Sequence, residues 1–136
     1  MELAEAIAFA RTHHRGVLAT TRRDGRPALT PVVAGVDDEG RLVVSTRESA
    51  YKVRHLAADP VATCCLFPDA FFGAWVQIEG PAEVVALPDA MAGLVALYRQ
   101  VAGEHPDWEE FETAMGAERR VLIRITPARV GPTLAG

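Results

Sequence analysis

The sequence predicts a mostly β protein with peripheral helices, its strands forming a six-stranded antiparallel barrel. Three observations lead there. About six strand-like segments follow one another in order, with helical segments inserted between and around them and no regular strand–helix–strand alternation. The first two strands meet at Asp24-Gly25, a tight-hairpin signal. A long strand near residues 74–86 is interrupted at Gly80-Pro81, where a barrel needs a bulge or bend. The 136 residues suit one domain spanning 1–136. A hydrophobic content of 49% supplies a core for it.

The elements follow from local pattern. Residues Glu2 to His13 read as a helix, with Leu3, Ile7 and Ala10 on one face. Gly16 opens a strand from Val17 to Arg22, and the hairpin returns it from Arg26 through Val36. The turn Asp37-Asp38-Glu39-Gly40 leads into a third strand, Arg41 to Thr46. Ser45 with Glu48 three residues on is a capping-box pattern, so a helix is expected from Glu48 to Ala58, ended by Asp59-Pro60. Val61 to Phe67 suits a buried strand and Pro68-Asp69 a turn. In the strand from Ala74 to Ala86, Trp75, Gln77 and Glu79 alternate with Val76 and Ile78. Pro88-Asp89 starts a helix that Gly103 stops, with Met91, Leu94, Val95, Tyr98 and Val101 on one face. A short helix from Pro106 to Met115 and a strand from Arg120 to Thr126 complete the series.

Composition narrows the function. The 24% charged residues are ordinary for a soluble protein, and the net charge of −4 does not suggest wholesale nucleic-acid binding, so any basic site must be local. The N-terminus lacks a basic region followed by an apolar run, and no stretch is long enough to span a bilayer. The two cysteines, Cys64 and Cys65, are neighbours and point to opposite faces of a strand. They read as small core thiols rather than a disulfide framework, and a cytoplasmic location is expected. His13, His14, His55 and His105 show no metal-ligand spacing, so no metal site is expected. Signatures of a nucleophile elbow, a phosphate loop or a dinucleotide fold are absent from the sequence. Enzyme chemistry here would fall to a bound cofactor.

The most informative segment runs from Ser45 to Arg54, where a strand gives way to a helix. Two readings of it stand. A helix start offers N–H groups and a positive dipole end, Ser45, Thr46 and Ser49 add hydroxyls, and Lys52 and Arg54 add charge, which together suit a phosphate. The plainer reading pairs Glu48 with Lys52 on a solvated helix face. Phe71, Phe72 and Trp75 can cover a planar ligand or an interface, or pack in the core. Arg22, Arg23 and Arg26 read as a solvated hairpin tip. His105, Asp107 and Trp108 read as helix capping and packing.

Several stretches, in this order, resemble the pyridoxamine-phosphate-oxidase-like split-barrel family, and within it the actinobacterial branch that uses the deazaflavin coenzyme F-420. They are Arg15-Gly16-Val17-Leu18-Ala19-Thr20, Asp24-Gly25-Arg26-Pro27, Thr30-Pro31-Val32 and Leu42-Val43-Val44-Ser45-Thr46 with Lys52. Leu56-Ala57-Ala58-Asp59-Pro60 and Ile78-Glu79-Gly80-Pro81-Ala82-Glu83-Val84 follow. Leu97-Tyr98-Arg99, the stretch from Ala102 to Trp108 and Glu118-Arg119-Arg120-Val121-Leu122-Ile123 complete the match. The resemblance implies the FMN-binding split barrel and a homodimer with cofactor sites in two grooves between subunits. It implies that Ser45, Thr46 and Lys52 hold the cofactor phosphate, with Arg54 close by, and that Ala19, Thr20, Pro31, Val32 and Val33 lie along the ring system. Residues of the partner chain would approach Trp75 and Gln77.

The function so implied is hydride transfer from reduced F-420 to an unsaturated small molecule. The alternatives are an FMN-binding oxidase or reductase of the pyridoxamine-phosphate oxidase type, and a non-enzymatic flavin or deazaflavin carrier. The deazaflavin has an acidic oligoglutamyl tail, for which Arg47, Arg54 and the Arg22, Arg23 and Arg26 tip can provide a basic exit. Two departures stand out. His55 occupies a position where asparagine is frequent in relatives, which bears on the groove around the cofactor tail. Ala34-Gly35 replaces bulkier residues, which either enlarges the substrate side or reflects different packing.

Overall fold

The computed structural model describes residues 1–132, so the single domain expected over 1–136 extends past the described residues at its end. The elements are α1 (Leu3–Thr12), β1 (Arg15–Thr21), β2 (Pro27–Val36), β3 (Leu42–Arg47), α2 (Tyr51–Ala58), β4 (Val61–Phe67), β5 (Val76–Val85), α3 (Met91–Ala102), α4 (Trp108–Ala117), β6 (Arg120–Ile125) and β7 (Arg129–Gly131). Six strands close a ring in the order β4-β1-β2-β3-β6-β5, with β5 returning to β4. Every pairing in the ring is antiparallel. The mostly β six-stranded barrel expected from the sequence is therefore present.

The break at Gly80-Pro81 is where the ring closes. Val76 to Pro81 pairs with β4, whereas Ala82 to Val85 pairs with β6. A Cβ on Gly80 would overlap the carbonyl oxygen of Thr126, so the crossing chain needs glycine there. The Thr126 N–H donates to Pro81 O and the Ala128 N–H to Glu79 O. These bonds lead the chain into β7, a three-residue strand that adds to β5 outside the ring and that no sequence period revealed.

Several boundaries shift by one to three residues from expectation, and two of these shifts have a clear physical reason or bear on the site. Ser45 is not a helix cap: β3 continues to Arg47, and Ser45 lies opposite Leu122 of β6. The turn from Arg47 to Ala50 follows, and α2 starts at Tyr51 with Ala50 as its N-cap and no side-chain cap. Pairing with a strand 77 residues away outweighed the local capping pattern. The long strand likewise starts at Val76 instead of Ala74, the preceding residues forming an exposed loop. The capping role read for Asp107 holds, since its carboxylate accepts from the Glu110 N–H at 3.1 Å.

Among the described residues there are two apolar cores. Leu18, Leu42, Val44, Leu66, Ile78 and Ile123 fill the barrel, with Cys64 among them and Cys65 on the other face of its strand. Ala6 and Ala10 of α1 and Leu56 of α2 pack against this interior. The second core lies outside the barrel, where α3 and α4 cover Val43 of β3 and Leu122 of β6 with Leu94, Leu97 and Phe111. A Cβ on Gly35 would come within 2.6 Å of Gln100 Oε1 and 2.8 Å of Leu97 Cδ1. The Gln100 side chain fills that space by bonding both Val36 N and Val36 O at 2.8 Å. The packing of α3 thus explains Gly35, while Ala34 faces the barrel core, and neither residue lines the cavity between the barrel wall and the α3–α4 pair.

Candidate functional site

A cavity of about 530 Å³ opens between the barrel wall and the α3–α4 pair. Its volume lies within the range of small-molecule and cofactor sites. Pro31, Val32 and Val33 of β2 form one side, and Leu97, Tyr98, Val101 and Phe111 of the two helices form another. Ser45 and Thr46 of β3, Lys52 of α2 and Arg120 of β6 make a polar corner at the end. Six of the residues expected from the sequence therefore meet here: Pro31, Val32, Val33, Ser45, Thr46 and Lys52.

The corner carries two cations, of which, among the described residues, Arg120 meets a carboxylate and Lys52 does not. Lys52 is the chain's one lysine, and among the described residues it has no carboxylate partner. Glu48, its candidate partner on a solvated helix face, instead meets Arg119 at 3.3 Å. Burial, reinforced by the charge of Arg120, pushes the Lys52 ammonium below the usual lysine range. Arg120 is held in place by Glu118, whose Oε1 accepts from Arg120 Nε at 3.1 Å and Nη2 at 2.9 Å. Those bonds hold the Glu118 carboxyl below its ordinary range. Lys52 also lies in the first turn of α2, where backbone N–H groups add a positive field. An anion is the natural complement of two hydroxyls, an ammonium and a guanidinium.

The other expected residues lie elsewhere. Thr20 points into the barrel, and its Oγ1 and His55 Nδ1 are 2.9 Å apart, a bond that ties α2 to β1. His55 therefore has a structural partner as well as a place near the surface. Ala19 is half-buried on the opposite face of β1. Trp75 precedes β5 and Gln77 lies on it, both exposed and neither lining the cavity. Arg54 faces a second cavity of about 510 Å³ with Arg22, Arg23, Tyr51 and His55. Of the other arginines expected to form a basic exit, Arg47 pairs with Glu118 and Arg26 with Asp24.

Sequence reasoning missed Arg120 and the α3–α4 wall. Arg120 joins the site because β6 pairs with β3 and sets it opposite Arg47, a non-local contact without a local signature. Tyr98 and Val101 were visible as a helix stripe, but the stripe alone does not separate core from cavity lining.

An apolar face continues outward from the cavity. Along β2, Leu29, Pro31 and Val33 point away from the barrel, with Leu29 68% and Val33 50% exposed. Register sets Leu29 beside Ala19 and Pro31 beside Val17, and Val17 beside Cys65. Phe71, Phe72 and Trp75 are also exposed, at 60%, 84% and 44%. Core packing is thus excluded for these three aromatics within this chain.

Comparison with known proteins agrees with this architecture. A solved structure of a conserved hypothetical protein from Mycobacterium tuberculosis is 28% identical, with a TM-score of 0.78, over 96% of this chain and 82% of that one. An F420 reductase is 22% identical with a TM-score of 0.68, covering 91% and 94%. The haem storage protein of Vibrio cholerae is 17% identical with a TM-score of 0.71, covering 96% and 94%. The last two likenesses speak for the fold alone. The family model for pyridoxamine 5'-phosphate oxidase matches residues 3–133, nearly the whole length, and the chain belongs to that family.

Proposed function

We propose that the protein is a homodimeric oxidoreductase that binds coenzyme F-420 in the first cavity and reduces an unsaturated small molecule there. The observation that carries this reading is the corner of Ser45, Thr46, Arg120 and the unpaired Lys52 at the end of an apolar cavity. Such a corner suits a phosphate, and the apolar walls suit a flat ring system. In this reading Lys52 and Arg120 hold the phosphate, while Ser45 and Thr46 orient it through their hydroxyls. Pro31, Val32 and Val33 line the ring, and Tyr98, Val101 and Phe111 exclude water from its other side. The bound cofactor supplies the hydride, so the protein's task is to bind, orient and desolvate.

The dimer belongs to the same proposal. Leu29, Pro31 and Val33 form an exposed apolar strand face that runs into the cavity wall, and a second copy covering it would complete the site. Ala19, Trp75 and Gln77 then serve at or near the subunit boundary. Cytoplasmic residence also belongs here, supported by the free thiols Cys64 and Cys65.

Titrating F-420 and FMN by calorimetry under matched conditions tests the reading, with the mass measured by light scattering. Tighter binding of F-420, and twice the 14.6 kDa chain mass, are expected. Equal or tighter FMN binding would replace the deazaflavin with FMN. A mass of one chain at micromolar concentration would remove the shared site. Binding without turnover of any conjugated acceptor would leave a cofactor carrier.

A further inference from the structure

We propose that Lys52 is a nucleophilic amine that captures phosphorylated aromatic aldehydes as an imine in the first cavity. The corner is that of the reading above, but the capture does not depend on which cofactor binds there. Lys52 is the chain's one lysine, so the chain has one side-chain amine to offer. It stands where both a phosphate and a ring find partners.

The amine is unengaged. Glu48 is held by Arg119, through the ion pair at 3.3 Å and through its own N–H, which donates to Arg119 O at 3.0 Å. Glu118 is taken up by Arg120 and Arg47. Among the described residues no carboxylate lines the cavity, so nothing there fixes the group as an ammonium. The charged and titratable groups that share the cavity with Lys52 are Arg120 of β6 and Tyr98 of α3, with Glu118 behind Arg120. Burial and then the charge of Arg120 hold the ammonium below the usual lysine range. A desolvated lysine beside another cation is an activated nucleophile, because more of it carries the lone pair at neutral pH.

Arg120 has a second use. Pairing of β6 with β3 sets it opposite Arg47, one step from the Thr46–Val121 pair. Glu118 Oε1 accepts from its Nε and Nη2, which leaves Nη1 unbonded among the described residues. With the hydroxyls of Ser45 and Thr46 it can anchor a phosphate in the corner, while Pro31, Val32 and Tyr98 receive the ring. The cation that frees the amine thus also brings the aldehyde to it. The neutral Nζ adds to the carbonyl carbon, and one amine proton passes to the carbonyl oxygen. The C–O bond then breaks, the oxygen leaves as water with the second amine proton, and a C=N bond remains. Nothing is oxidised or reduced, and water reverses the adduct.

The test treats the full chain with 4-formylphenyl phosphate, and with 4-methoxybenzaldehyde as the phosphate-free control. The imine is trapped with cyanoborohydride and located by peptide mass, with the α-amino group of Met1 as internal reference. Lys52 should react about tenfold faster or more with the phosphate compound, the gain of one charge-assisted contact, while Met1 treats both aldehydes alike. Inorganic phosphate should protect Lys52 and not Met1. The rate at Lys52 should rise with pH below the ordinary lysine range, about 10.4. Arg120→Gln, with its fold checked by melting, should move that rise to higher pH and remove the preference for phosphate; protection of the native chain is read independently of this variant. Lys52→Arg, which keeps the cation, should leave only the Met1 adduct. Equal labelling of Lys52 by both aldehydes, no protection by phosphate, or reaction only in the ordinary lysine range would overturn the proposal. If Lys52 stays unlabelled while Lys52→Ala still weakens FMN binding, this inference fails and the cofactor reading stands. If Lys52 is labelled and phosphate protects it, but neither FMN nor F-420 competes, the cofactor reading fails and this one stands.

Discussion

Replacing Lys52 by alanine separates a phosphate site from a surface lysine. In the structure the ammonium is partly buried, borders the cavity with Ser45, Thr46 and Arg120, and has no carboxylate partner among the described residues. Its one obvious neighbour for an ion pair, Glu48, is engaged by Arg119. Removing Lys52 therefore breaks no ion pair, and because it also relieves a partly desolvated charge beside Arg120, the melting temperature should hold or rise slightly. Ligand binding should respond differently. A charge-assisted hydrogen bond to phosphate is worth about 1.5–3 kcal/mol, so the dissociation constant for a phosphate-bearing flavin should rise by about tenfold to a hundredfold. Arg120 remains and keeps the loss from being complete. Calorimetric titration and thermal melting of the same variant give both readings. An unchanged dissociation constant would refute the placement of the phosphate, and a fall of several degrees in melting temperature would mean that Lys52 supports the fold instead.

Other consequences follow from the same geometry. Affinity for the phosphate ligand should persist while Lys52 is protonated and fall as pH rises through its lowered pKa; the fall should begin below the range of an ordinary lysine, about 10.4, and vanish in Lys52→Ala, as titrations at several pH values would show. Gly35→Ala forces the Gln100 amide off both Val36 groups and should cost about 1–3 kcal/mol of stability, read by urea unfolding; an unchanged midpoint would mean that α3 adjusts freely. Burial pushes the Cys64 thiol up to about 12 and also raises Cys65, so a thiol reagent at neutral pH should modify at most one cysteine per native chain and two after denaturation; two fast native reactions would contradict the barrel interior drawn for Cys64. Val33→Asp places a charge on the exposed apolar face of β2 and should shift the mass toward the single chain in light scattering; an unaltered dimer mass would locate the interface elsewhere.

Much of the barrel was legible in the sequence because its signals are local. Asp24-Gly25 permits the tight turn between β1 and β2, and the alternation around Trp75 to Glu79 marks a strand with two different faces. Gly80-Pro81 announced a break whose purpose, the exchange of β4 for β6 as partner, appears only in the closed ring. The chemistry near Ser45, Thr46 and Lys52 was also readable, since hydroxyls and a cation crowd one short segment. The reason first offered for it, a capping box at Ser45, failed because β6 extends β3 through that residue.

Taken alone, the sequence determined the first six strands as they follow one another along the chain, the helices that flank the barrel and three of the four residues of the anion corner, all of which rest on spacing within some ten residues. Only the tertiary structure decided that Arg120 would stand beside Lys52, that Tyr98 and Phe111 would wall the cavity, and that Arg22, Arg23 and Arg54 would share another. It also decided that Glu48 would turn to Arg119 and leave Lys52 unpaired. These are meetings of residues from distant segments. Their cause is the closure of the ring and the packing of α2, α3 and α4 against it, and burial energy that drives such closure has no direction along the chain and so leaves no local pattern to read.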